Sequence, residues 1–286
     1  MKTINLKSFC KVNLTLKVLR KLSNGYHKIE SLITFCTIYD NITISKSKNK
    51  KDNVIFSGNF KSGINNKKNT ITKLLDILKK KNYITEKNFT INIKKNIPHG
   101  SGLGGGSANA AVLLNFFNHK FNLNIKKRKL YEIATQIGSD TPISLQKKNT
   151  LVNNKGKIIR LNKIFKLNML IVCPNIVCPT KKIYENNKKY SSIKKQPNFS
   201  NLSKKKLISY LIDNNNDLEE VAIKLYPRIK KIIDFIKSQN GCYFSRITGS
   251  GSACIGIFND MKSAIYTKKL IRFKFPKYWS VTSKTI

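Results

Sequence analysis

Five of the chain's 14 glycines fall within the seven residues Gly100 to Gly106, and this cluster limits the fold more than any other feature. Before it, Phe89, Ile91 and Ile93 alternate with polar residues as a strand does; after it, Ala108 to Phe121 carries a broad apolar face at helical spacing. A strand that passes through glycines into a helix converges backbone N–H groups and the positive end of the helix on one point. Glycine also lets that backbone approach an anion closely. Ser107 is expected to cap the helix and to offer a hydroxyl to phosphate or Mg²⁺. A Walker loop is excluded, because Gly106-Ser107 has no lysine between its glycine and its hydroxyl residue. Gly100-Ser101-Gly102-Leu103-Gly104-Gly105 does fit the dinucleotide pattern G-x-G-x-x-G. That fold, however, needs an acid about 20 residues on to hold a ribose, and no Asp or Glu occurs between Gly100 and Tyr131.

The rest of the chain mixes strands and helices without a strict alternation, which predicts an α+β protein in two domains, 1–160 and 161–286. Lys11 to Leu19 reads as one half-buried strand, with Val12, Leu14, Leu16 and Val18 inward and Asn13, Thr15 and Lys17 outward. Ile29 to Ile44 reads as strand broken at Asp40-Asn41, Thr70 to Lys81 and Lys129 to Ile137 as helices, and Leu151 to Arg160 as a hairpin. In the second half, strands are expected at Leu167–Cys173, Ala253–Phe258 and from Trp279. Helices are expected at Leu202–Ile212, Asp217–Gln239 and Met261–Arg272, a polar loop at Lys181–Ser200 and a turn at Ser245–Gly251.

The formal charge of +41 invites a nucleic-acid reading. It rests on 49 lysines and only six arginines spread along the whole chain. Arginine is the residue suited to bidentate phosphate and guanine contacts. Lysine, isoleucine and asparagine, all with A- and T-rich codons, are abundant, whereas alanine occurs seven times. The charge is therefore read as codon bias, with no specific nucleic-acid partner. No run approaches the ~18 apolar residues of a membrane span, and the start lacks the apolar core of a secretory signal. A cytoplasmic protein without a membrane partner is expected. Six cysteines without a C-x-x-C pair, and three histidines, give no zinc pattern.

Pro98 to Ala111, with its string Gly102-Leu103-Gly104-Gly105-Gly106-Ser107, resembles the phosphate loop of the GHMP small-molecule kinases, the family of galactokinase, homoserine kinase and mevalonate kinase. Lys11-Val12-Asn13-Leu14, Asn24-Gly25-Tyr26-His27, Gly138-Ser139-Asp140-Thr141-Pro142, Pro179-Thr180 with Tyr184, and Thr248-Gly249-Ser250-Gly251 extend the resemblance over nearly the whole chain. They point to the branch that acts on a diphosphocytidyl methylerythritol. Ala108 departs from the second serine usual there.

The resemblance implies an N-terminal domain like domain 2 of ribosomal protein S5 and a ferredoxin-like C-terminal domain. It implies ATP-dependent phosphorylation of a small-molecule hydroxyl, with ATP and Mg²⁺ as cofactors, by a monomer or homodimer. Asp140, the only acid from Ile133 through Tyr184, matches the catalytic base, and Lys11 its companion. Pro98, Gly100, Gly102, Leu103, Gly104, Gly105, Gly106, Ser107 and Asn109 match the nucleotide loop, with Ser107 toward the metal. Asn69 and Lys95 match positions near adenine and ribose. Asn13, Tyr26, His27, Thr180, Tyr184, Gly249 and Gly251 match substrate contacts, the two tyrosines clamping cytosine and His27 reading its edge. His99 is read as a loop residue. Homoserine or mevalonate kinases remain alternatives, and a nucleic-acid binder on the S5-like fold is a more distant one.

Overall fold

A computed structural model describes residues 2–85 and 87–286. In chain order the strands and helices are β1 (Ile4–Asn13), β2 (Lys17–Lys21), β3 (His27–Lys46), β4 (Asn53–Ser57), α1 (Thr70–Lys80), β5 (Phe89–Lys94), α2 (Gly105–Lys120), α3 (Lys127–Ile137), α4 (Thr141–Ser144), β6 (Thr150–Val152) and β7 (Ile158–Arg160). There follow β8 (Asn168–Cys173), α5 (Thr180–Glu185), α6 (Lys204–Asp213), α7 (Glu219–Leu225), α8 (Arg228–Lys237), β9 (Cys242–Ile247), β10 (Cys254–Phe258), α9 (Met261–Lys274) and β11 (Trp279–Lys284).

Two compact units result, and neither follows a single cut at residue 160. The first takes residues up to Lys11, Ile38–His99 and Gly104–Lys147; the second takes Val12–Thr37, Gly100–Leu103 and Lys148–Ile286. The physical reason is strand length. β1 and the 20-residue β3 each run on through the assigned boundary, so one end of each strand falls in each unit.

In the first unit β4 pairs parallel with β5, and β5 pairs antiparallel with the second half of β3, from Asn41↔Lys94 to Lys46↔Phe89. The strands and α1–α3 bury one core, built on Ile42, Ile44, Ile91, Ile93, Leu74, Leu78, Leu114 and Phe117. Helix α1 is held at its start by Asn69, which accepts from the N–H groups of Ile71 and Thr72, while Thr72 closes the capping box.

The second unit holds the hairpin of β6 and β7 beside the first half of β3, and a four-stranded antiparallel sheet of order β11-β8-β10-β9. Strand β8, helices, β9 and β10, helix α9 and β11 make the β-α-β-β-α-β succession of a ferredoxin-like fold. Its core joins Leu170, Val172, Ile229, Ile232, Ile236, Ile247, Phe258 and Ile271.

Several sequence expectations are corrected. Lys11–Leu19 is two strands separated by a bend, and Asn13 and Thr15 are buried like Val12, Leu14 and Leu16 around them, so the alternation does not mark a solvent face. Strand β3 is unbroken at Asp40-Asn41, because Asp40 is fully buried and hydrogen-bonded within the fold. The polar stretch after residue 180 opens with α5, and Asp217–Gln239 divides at Pro227 into α7 and α8. Ser245 to Ile247 belong to β9, and the turn is confined to the residues after them.

Candidate active site

In the first unit, Lys11 lies near the end of β1 and is only 3% exposed. Its Nζ stands 3.2 Å from Oδ2 of Asp140, whose side chain is 37% exposed. A buried ammonium thus faces a carboxylate that still reaches solvent, which suits a group meant to take a proton from a bound hydroxyl. Local sequence places Asp140: α3 ends at Ile137, Gly138 leaves it in an extended conformation, and the one-turn helix α4 starts just beyond at Thr141, with Pro142 in its first turn. A Cβ built on Gly138 would lie 3.4 Å from Thr141 Oγ1 and 3.7 Å from Ser107 Oγ, so the Ser107 hydroxyl borders the turn that carries Asp140.

Gly104, at φ +68°, is the cap residue just before α2, and a Cβ there would fall 2.8 Å from Lys11 Cγ. Glycine is required both by the left-handed backbone and by the lysine lying across it. Ser107 is therefore the third residue of α2 and not its cap, because the glycines themselves form the first turn. Thr70 Oγ1 donates to Gly106 O at 2.9 Å, tying α1 to that turn. Beside it opens a groove of about 460 Å³ lined by Lys67, Lys68, Asn69, Thr70, Thr72, Lys73, Asp76 and Ile137.

Not every expected nucleotide residue presents its side chain. Asn69 spends its amide within its own turn, accepting from Ile71 and Thr72 and donating to Asn65 O and Asn66 O. Lys95 is buried on the carboxylate of Asp40 and does not reach out toward a ribose. Pro98, Leu103 and Asn109 are likewise buried, so they anchor the loop through the interior. His99 is exposed, with Nε2 2.8 Å from Ser62 O.

In the second unit, Gly100 and Gly102 are left-handed at φ +65° and +81°. A Cβ on Gly102 would come within 2.1 Å of Thr248 O, and one on Gly249 within 3.1 Å of Gly102 O, so two glycine turns meet backbone to backbone. Asn13 donates its N–H to Thr248 Oγ1 and its Nδ2 to Ser31 Oγ, both at 2.8 Å, and Thr180 Oγ1 lies 3.0 Å from Ser250 Oγ.

His27 at the start of β3 meets Tyr184 of α5, ring centroids 5.1 Å apart, and stacks on Tyr190 at 6.4 Å. Tyr26 holds its ring in solvent, 68% exposed. Burial first, and Lys21 second, lower the His27 pKa from its ordinary value, which favours the neutral ring. Two residues escaped the sequence reading. Tyr190 sits among lysines and asparagines with no pattern to single it out. Asp40 was visible only as one of the 14 acids and was read as a break in its strand.

The GHMP kinases N terminal domain model matches residues 69–148, and the GHMP kinases C terminal model matches residues 197–271. The chain belongs to the GHMP kinase family, and it is a small-molecule kinase. It is 38% identical to the 4-diphosphocytidyl-2-C-methyl-D-erythritol kinase of Pelagibacter ubique (strain HTCC1062) over the full length of both chains. It is 33% identical to the enzyme of that name from Caldicellulosiruptor bescii over 92% of each. Among solved structures, a 4-(cytidine 5′-diphospho)-2C-methyl-D-erythritol kinase superposes with a TM-score of 0.75 at 20% identity, covering 98% of this chain and 99% of that one. Homoserine kinase from Cytophaga hutchinsonii gives 0.70 at 15%, covering 100% and 95%. These two superpositions agree with the two-domain α+β fold. Among the described residues no helix is long and apolar enough to cross a membrane.

Proposed function

We propose that this chain transfers the γ-phosphoryl group of ATP to the C2 hydroxyl of 4-diphosphocytidyl-2-C-methyl-D-erythritol, giving the 2-phosphate and ADP in the non-mevalonate isoprenoid pathway. The relatives' names supply the candidate substrate. The observation that carries the choice is the ring contact of His27 with Tyr184, a platform for a nucleobase that homoserine and mevalonate lack.

In the transfer, Asp140 accepts the hydroxyl proton as the oxygen attacks the γ-phosphorus, and Lys11, with Nζ 3.2 Å from Asp140 Oδ2, steadies the charge that builds on the phosphoryl oxygens. The N–H groups of the first turn of α2 face the phosphates, and the groove beside Thr70 takes the adenine. Thr180, Asn13, Gly249 and Gly251 support the substrate. The oxygens of Ser107 and Asp140 suit Mg²⁺, which takes few protein ligands and completes its shell from phosphates and water. Among the described residues there is no group of three or more His, Cys, Asp or Glu that could hold a metal ion. When bound there, Mg²⁺ supplies neutralisation of the β- and γ-phosphate charge.

A coupled assay of ADP release tests the reading: turnover with the cytidyl substrate at least 10²-fold above homoserine and mevalonate is expected on the scale of discrimination by a site built for polar recognition. Equal turnover of all three would reject it.

Two further results are expected. Tyr184→Ala raises the KM of the cytidyl substrate about ten- to a hundredfold, since stacking on one aromatic face is worth about 1–3 kcal/mol; Tyr184→Phe changes it little, and the KM of ATP stays fixed in both. A raised ATP KM instead would misplace the base platform. The lowered His27 pKa also carries a sign. A neutral ring persists above the ordinary value of 6.5, so the substrate KM is flat from there upward and rises only at lower pH, as the ring gains its proton. A KM that climbs from pH 8 to 7 would contradict a base-reading role for neutral His27.

A further inference from the structure

We propose that Asp40 is a positioning residue that sets both ends of the phosphate loop for nucleotide binding, an inference that rests on reading that loop as the nucleotide site. Asp40 lies in β3 and is 0% exposed. Its Oδ1 accepts from the backbone N–H of Asn96 at 2.8 Å and of Ile97 at 2.9 Å, the last two N–H groups before Pro98 opens the loop. Its Oδ2 accepts from Lys95 Nζ, and from Asn109 Nδ2 at 3.1 Å in the second turn of α2, where the loop has become helix. One carboxylate therefore grips the chain just before Pro98 and in the second turn of α2, both within the first unit.

The chemistry explains why a charge is buried there. A carboxylate with four donors, one of them an ammonium, is satisfied without water, and charge-assisted bonds are the strong ones. The glycines give the segment between the two anchors wide conformational freedom, and a loop that must present N–H groups to phosphate gains affinity from being fixed before the ligand arrives. Lys95 is part of the grip: its Nζ is 3.2 Å from the place a Cβ on Gly105 would occupy, directly beneath the first turn of α2. Its role is to neutralise Asp40 under the loop, and Asp40 acts on the nucleotide only through the backbone it holds.

Two double variants separate the grip from the charge. Asp40→Asn with Lys95→Met removes both charges and keeps an oxygen for the Asn96 and Ile97 N–H groups. Asp40→Leu with Lys95→Met removes both charges and the oxygen. Neither leaves a buried ion unpaired, the usual cause of collapse when one partner alone is replaced. With both proteins folded by circular dichroism and assayed below their melting temperatures, the leucine double is expected to show an ATP KM at least tenfold above that of the asparagine double. The cytidyl-substrate KM should agree within about twofold between them.

Equal ATP KM values, or a substrate KM that rises in step with that of ATP, would overturn the proposal, since a merely structural residue moves stability or both constants alike. If the leucine double does not fold, Asn109→Ala decides the matter, because it releases the helix end alone. A severalfold higher ATP KM with an unchanged substrate KM supports the grip, and an unchanged ATP KM overturns it. Gly104→Ala distinguishes the two levels of failure. An unchanged ATP KM there rejects the loop as nucleotide site, whereas a raised one beside equal doubles rejects Asp40 alone.

Discussion

Asp140→Asn lowers kcat by about 10²–10⁴-fold, the usual contribution of a general base, while the KM of ATP changes little. The amide keeps the shape of the carboxylate at the head of α4 but cannot take the proton of the attacking hydroxyl. It also removes the negative charge that stands 3.2 Å from Lys11 Nζ. Both losses fall on the chemical step, so kcat and kcat/KM drop together. The variant should fold, because Asp140 is more than a third exposed and water screens what the buried lysine loses. Steady-state kinetics with both substrates varied, beside a circular dichroism spectrum, gives the answer; turnover within tenfold of the parent would remove Asp140 from the base role.

Gly104→Ala is expected to cut kcat/KM for ATP by about two orders of magnitude. A single residue forced into the left-handed region costs about 1–2 kcal/mol, close to tenfold on its own. The remainder comes from Lys11: the new Cβ would sit 2.8 Å from its Cγ and 2.9 Å from its Cε, and a lysine 3% exposed has no open space into which to swing. Both KM of ATP and kcat suffer, the first through the displaced turn and the second through the displaced ammonium. Gly106→Ala is the control, since a Cβ there meets only Thr70 at 3.5 Å or more. Kinetics in which Gly104→Ala and Gly106→Ala behave alike would deny the lysine contact its importance.

The sequence carried the phosphate loop and the helices flanking it, because glycine clustering and apolar spacing are local signals. The scarcity of acids around it also singled out Asp140 as the candidate base. Burial on both faces was not local. Asn13 and Thr15 looked like a solvent face by alternation, but their partners, Thr248 for the N–H of Asn13 and Leu32 for the hydroxyl of Thr15, are distant in the chain. Asp40 was misread for the same reason. An aspartate in a strand reads as a break until its four donors, 55 to 69 residues away, are known. Lys95 looked like a ligand among 49 lysines, and only the fold shows its ammonium turned inward. Tyr190 meets His27 through a loop whose composition gives no periodicity to read.

The position of the new phosphate tests the account most directly. With ATP and 4-diphosphocytidyl-2-C-methyl-D-erythritol, the product's phosphorus NMR spectrum should gain one phosphomonoester resonance that shows no three-bond coupling to hydrogen, because C2 carries a methyl group and no hydrogen. A triplet from a neighbouring CH₂, a doublet from a neighbouring CH, or no new phosphomonoester at all would contradict phosphorylation at C2.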